Sequence, residues 1–241
     1  MSKIPKQIDD RLKDAIVNIE FVPSVPPETV IGYFHNALRD ELSIAPPQNK
    51  FNFLNNSVTF ETSQSYFITK NGPFRIDVTG QGITFNLLGS YTGWHDYFPV
   101  VGKNLKSLFD LNIIQEVTRV SIRYINQFDN VRIYEHIQGN ISIGSIPDNS
   151  RGQMRVEFQK NQFSVITTIV NGYSAATLNL GLNPDTEFSL IDVDVIKLFP
   201  PKTKLSYEEV ISTLESAHDT EKDCFFSLLK EEFIQTLNPI Y

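Results

Sequence analysis

Alternation dominates the first third of the chain. In Asp14–Val22 the apolar side chains Ala15, Val17, Ile19 and Phe21 fall on every second position, which predicts a strand with one buried face. Pro23, Pro26 and Pro27 end it. The period then changes: Val30, Ile31, Phe34, Ala37, Leu38 and Leu42 recur at three and four, predicting a helix over Glu28–Leu42 with prolines at its start and an acid in its first turn. Ile44–Asn56 reads as a loop holding at most a short strand. Strands are expected at Ser57–Thr62, Tyr66–Lys70, Phe74–Thr79 and Gly82–Leu88, with turns at Asn71-Gly72-Pro73 and Gly80-Gln81-Gly82.

A second helical period follows, through Trp94, Tyr97, Phe98, Val101, Leu105, Leu108 and Phe109. Pro99 interrupts it, so a short turn at Thr92–Tyr97 and a separate helix from Pro99 to Leu111 are expected. Val117–Asn126 then reads as a strand, with Val120, Ile122 and Tyr124 on one face and Arg119, Ser121 and Arg123 on the other. Strands are predicted at Val131–Tyr134, Ile137–Ile143, Gln153–Gln159, Gln162–Val170, Ala175–Leu182 and Glu187–Leu198. Lys160-Asn161 and Asn171-Gly172 are read as hairpin turns and Asn183–Thr186 as a further turn. Ser206-Tyr207-Glu208-Glu209 is a capping box that opens a helix. A second helical stretch after Asp219 is either a separate helix or the same one kinked.

The strands come in runs and not in strand–helix alternation. The expected class is α+β, with two similar lobes of mainly antiparallel sheet, each packed with helices, and a degenerate duplication as one origin. The divisions expected are an N-terminal arm over residues 1–13, a first lobe over 14–130 and a second over 131–241.

Composition narrows the function classes. A net charge of −7 argues against broad nucleic-acid binding, which leaves a basic footprint. A single cysteine, Cys224, excludes an internal disulfide and any cysteine-cluster zinc site. The charged N-terminus is unlike a signal peptide, and no apolar run is long enough for a membrane span, so a cytoplasmic location is expected.

Candidate chemistry is sparse. Arg119 and Arg123 offer two planar forks on one strand face, a geometry suited to carboxylate or phosphate. Asp192 and Asp194 share a face two residues apart and are weak candidates for a divalent metal; the competing reading pairs them with the arginines. His218-Asp219 and His95-Asp96 are adjacent His–acid pairs that fit a helix-end contact as well as acid–base work. Cys224 beside Phe225 and Phe226 reads as a small buried hydrophobe. Walker, G-x-S-x-G and kinase patterns are missing, and no cofactor is expected.

Three segments carry a resemblance: DAIVNIEFVP at 14–23 before a helix, GWHDYF at 93–98 followed by RVSIRYINQF at 119–128, and LIDVDVIKLF at 190–199 with SAHDTEKDCFFSLLKEEF at 216–233. In these the chain resembles a sporadically distributed prokaryotic family of uncharacterised proteins, RYIN being the most specific part. The resemblance implies an accessory or defence-type gene and supplies no catalytic residues. The expectation is therefore a non-enzymatic protein that recognises a protein partner, with Arg119, Arg123, Trp94 and Tyr124 as the binding residues and a homodimer through sheet edges as a further possibility. The alternative is an enzyme or sensor that takes a phosphorylated or nucleotide-like molecule between the lobes.

Overall fold

A computed structural model of the chain describes residues 4–44, 48–54, 57–63, 67–69, 74–139, 144–147, 150–174 and 187–241. The chain is α+β. It divides into two compact units, each built from separated segments. The first comprises Met1–Asp14, Arg123–Ile196 and Ser216–Tyr241; the second comprises Ala15–Ile122 and Lys197–Glu215.

In the second unit the strands lie in the order β2 (Leu42–Ile44), β5 (Phe67–Thr69), β6 (Phe74–Thr79), β7 (Gly82–Leu87), β1 (Leu12–Pro23, in this unit from Ala15) and β8 (Ile114–Asp129, in this unit up to Ile122). The alternation in β1 is realised in full, because Ala15, Val17, Ile19 and Phe21 are all buried. Helix α1 (Pro27–Leu38) buries Val30, Phe34 and Leu38, and ends before the predicted Leu42, which opens β2. A separate pair forms between β3 (Gln48–Leu54), which fills much of the stretch read as a loop, and β4 (Ser57–Ser63), which lies where a strand was expected at Ser57–Thr62. The Asn and Lys residues of β3 obscured the alternation of Phe51 and Phe53.

Helix α2 runs unbroken from Trp94 to Asp110 with Pro99 inside it, so the expected break is absent. Pro99 sits in the second turn and removes only the bond to the His95 carbonyl; the fully exposed His95 side chain places that end of the helix in water, which can replace the bond.

The first unit holds β8 from Arg123, β11 (Glu187–Leu198, in this unit up to Ile196), β10 (Phe163–Ser174) and β9 (Gly152–Lys160), in that order. The pairs β1–β7, β2–β5, β5–β6, β6–β7, β9–β10 and β10–β11 are all antiparallel. The predicted strand at Val131–Tyr134 is instead an extended approach to a 3-10 turn at Ile133–Glu135. The β9–β10 turn is Asn161-Gln162, with Asn161 at φ 55°. The Asn171-Gly172 pair is not a hairpin turn. Strand β10 continues through it as a bulge, with the register against β11 shifting between Val170 and Tyr173. Gly172 takes φ +66°, and a Cβ there would lie 3.0 Å from the Arg132 side chain, so glycine serves a bulge at this position. The predicted strands at Ala175–Leu182 and most of Ile137–Ile143, and the turns at Asn71-Gly72-Pro73 and Asn183–Thr186, lie outside the described residues.

Helix α3 (Tyr207–Leu228) is continuous past Asp219, and a short helix α4 (Glu231–Gln235) follows. The capping box forms as read: the Ser206 N–H donates to Glu209 Oε2 at 2.7 Å and the Glu209 N–H donates to Ser206 Oγ at 3.2 Å.

Candidate functional site

The only tryptophan stands at the first position of α2. Gly93 caps that helix at φ 110°, a backbone that side-chain-bearing residues rarely adopt, and turns the chain into Trp94. One helical turn apart, Trp94 and Phe98 stack with ring centroids 4.4 Å apart and planes 15° apart. Both remain half-buried. Beneath them Tyr97 is 1% exposed, and its hydroxyl donates to the carbonyls of Ala15 at 3.0 Å and Phe85 at 3.3 Å. Phe74 and Tyr91 pack on Tyr97 at 5.0 and 6.2 Å. The outer aromatics thus rest on a ring bolted to the backbone of two strands, while His95 and Asp96 beside them are exposed and touch each other at 3.2 Å. The result is a rigid apolar step with a polar collar.

The arginine strand is used differently in the two units. In the second unit, Arg119 Nη1 donates to Asn18 Oδ1 at 2.5 Å and reaches Glu20 at 3.4 Å. Asn18 in turn donates to Thr84 Oγ1. Two strands along, Arg75 Nε and Nη2 grip both oxygens of Asp77 at 3.1 and 3.0 Å, and Asn86 donates to the same carboxylate at 3.2 Å; all three side chains are buried. Arg75 and Asp77 stand two apart in β6, a spacing that places them on one face but that nothing else in the local sequence marks.

In the first unit Arg123 holds Asp192 in a bidentate pair at 2.9 and 2.7 Å. Burial pulls the Arg123 pKa down, but the bond to Asp192 and the fields of Asp192, Asp194 and Asp14 more than offset it and keep the guanidinium charged. Tyr124 is 5% exposed and sets its ring edge-on to His218 at 6.0 Å. Burial lowers His218 to about 4, assisted by Lys222, which keeps it neutral despite Asp219 at 3.9 Å. Glu221 is 3% exposed, and its Oε1 has no hydrogen-bond partner among the described residues. Burial raises it to about 8; Lys222 opposes that shift and Asp192 adds to it. Cys224 is buried and its thiol is pushed up by desolvation, away from thiolate chemistry.

Two further polar centres lie in the first unit. Ser189 is fully buried; its hydroxyl donates to the Val131 carbonyl at 2.6 Å and accepts from the Gly172 N–H at 3.0 Å. The Arg132 fork holds Glu187 at 2.8 Å through both nitrogens, and Arg151 adds a third bond. These contacts fix the bulge and the 3-10 turn against β11. Sequence alone did not mark Ser189, because a lone serine in an apolar strand looks like any other strand residue.

Among the described residues no cluster of three or more His, Cys, Asp or Glu is placed to hold a metal, and no described helix is long and apolar enough to cross a membrane. No protein-family model, curated protein or solved structure matches the chain.

Proposed function

We propose that this chain is a non-enzymatic binding protein that recognises a protein partner through the aromatic step at the start of α2. The observation that carries the reading is the Trp94–Phe98 stack. It is half-exposed, already held in one geometry by Tyr97, and rimmed by His95 and Asp96. Binding energy at protein interfaces concentrates on aromatic anchors with polar surroundings, and a fixed anchor loses little conformational entropy on docking. The arginines and acids of the strand face support the same reading from the other side. Arg123 and Asp192 satisfy each other, and Arg119 is engaged by Asn18 and Glu20, so these forks serve the sheets. An accessory or defence-type setting is the context that the resemblance implies.

The test is affinity purification from the native host, run side by side with wild-type chain and the Trp94→Ala/Phe98→Ala variant at physiological salt. A stoichiometric protein retained by wild type and lost by the variant is expected. Equal retention by both, or a co-purifying metabolite in place of a protein, would overturn the reading.

A further inference from the structure

Among the described residues, strand β9 lies at the outer end of the first unit's strand order, with β10 on its inner side. Its side chains are exposed on both faces from Arg155 to Gln159. One face is apolar: Met154, Val156 and Phe158 stand opposite Ile169, Thr167 and Val165 of β10. Those three β10 residues are buried, whereas Val156 and Phe158 are 44% and 39% exposed. The core-side face therefore continues onto β9 beyond its cover. The other face is polar, with Gln153, Arg155, Glu157 and Gln159.

Read outward from Val156, the strand is nearly its own mirror: Gln153-Met154-Arg155, Val156, Glu157-Phe158-Gln159. An antiparallel partner with the same sequence, placed on a two-fold axis through Val156, sets Arg155 opposite Glu157 twice, Met154 opposite Phe158 twice and Gln153 opposite Gln159 twice. Opposite residues share a face, so charge meets charge on one side and apolar meets apolar on the other. Sliding by one step in either direction that keeps the hydrogen-bond pattern sets Arg155 against Arg155 or Glu157 against Glu157, so the charges select one register.

The backbone agrees. The two-residue turn makes Lys160 and Phe163 a hydrogen-bonded pair, so Met154, Val156 and Phe158 bond inward to β10. The N–H and C=O groups of Gln153, Arg155, Glu157 and Gln159 then point to the outer edge, where this register needs them. Within the chain, Arg155 and Glu157 are only loosely engaged, at 3.8 Å and more than half exposed.

We propose that β9 is a self-association edge: two copies of this chain pair their β9 strands antiparallel about Val156, extending the sheet across a two-fold axis. The net charge of −7 on each chain opposes association, so the local alternation and not the overall field carries the recognition.

Sedimentation equilibrium of the full chain over a dilution series should show a monomer–dimer equilibrium. Arg155→Glu or Glu157→Arg alone should weaken it roughly tenfold or more, because each change brings two like-charge contacts. The double variant Arg155→Glu/Glu157→Arg should restore it, and an equimolar mixture of the two single variants should form a heterodimer. Val156→Cys should cross-link to itself under mild oxidation, since a non-hydrogen-bonded pair brings the two Cα atoms close enough for a disulfide, whereas Phe158→Cys should not. A monomeric wild type, or a dimer indifferent to both single charge reversals with circular dichroism unchanged, would overturn the proposal.

Discussion

Glu221 is buried, and its Oε1 has no partner among the described residues, which makes the first unit's stability depend on pH in a way that one substitution removes. Its carboxyl titrates near 8 in the folded chain against 4.5 in the reference state. Below pH 4.5 the group is protonated in both states and costs nothing. As pH rises the unfolded chain releases the proton and the folded chain does not, so stability falls, and it levels off once the folded group also ionises near 8. At about 1.4 kcal/mol per pH unit the full loss is on the order of 5 kcal/mol. His218 runs the other way. Its folded value of about 4 lies below 6.5, so it stabilises above pH 6.5 and that contribution, roughly 3 kcal/mol, is lost as pH falls towards 4. Between about pH 4.5 and 6.5 the two slopes cancel; from 6.5 to 8 only Glu221 acts and removes roughly 2 kcal/mol. Glu221→Gln abolishes that last slope whatever the amide itself costs in place. Guanidinium denaturation of both proteins at pH 6.5, 7.25 and 8 measures it. Wild type should lose about 2 kcal/mol relative to the variant across the interval. Parallel curves would refute the assignment of a buried, proton-retaining carboxyl.

Other perturbations follow from the same contacts. Arg123→Met leaves Asp192 without its bidentate partner in a partly buried site and should destabilise by roughly 2–4 kcal/mol in denaturant melts. Ser189→Ala removes a fully buried hydroxyl that serves the Val131 carbonyl and the Gly172 N–H; a loss of about 1–3 kcal/mol is expected. Gly172→Ala meets both a positive φ and the Arg132 side chain and should cost about 1–3 kcal/mol. His218→Phe should remove the term that balances Glu221, so stability should rise as pH falls from 6.5 to 4.5, where wild type stays level, while the slope above 6.5 stays in place, as read by thermal melts.

The outline of the fold was legible where period and punctuation agree. The alternation of β1, the exact span of Glu187–Leu198 and the Ser206–Glu209 box all appear as read. Turn chemistry was less reliable for a physical reason: Asn-Gly supplies a positive φ, and both a hairpin and a bulge consume one. At Gly172 the buried Asn171 side chain accepts from the Tyr134 N–H and donates to the Ser150 carbonyl, ties that local sequence does not reveal. Pro99 misled in the same way, since the loss of one bond near a solvated helix start is small. Of the candidate site, the pairing of Arg123 with Asp192 was anticipated by matching acids to arginines, whereas the partners of Arg119 lie on β1 and depend on strand order. The anchoring of Trp94 through Tyr97 also needed the fold, because Ala15 and Phe85 are distant in sequence.

Trp94 is the only tryptophan in the chain, so its fluorescence reports the proposed recognition surface without interference. The decisive measurement is a titration of the chain with the protein enriched by wild type, followed through Trp94 emission. A saturable, stoichiometric blue shift is expected as the indole is covered, with binding lost in Phe98→Ala although that variant stays folded. A partner that binds at full stoichiometry while Trp94 emission stays unchanged would contradict it.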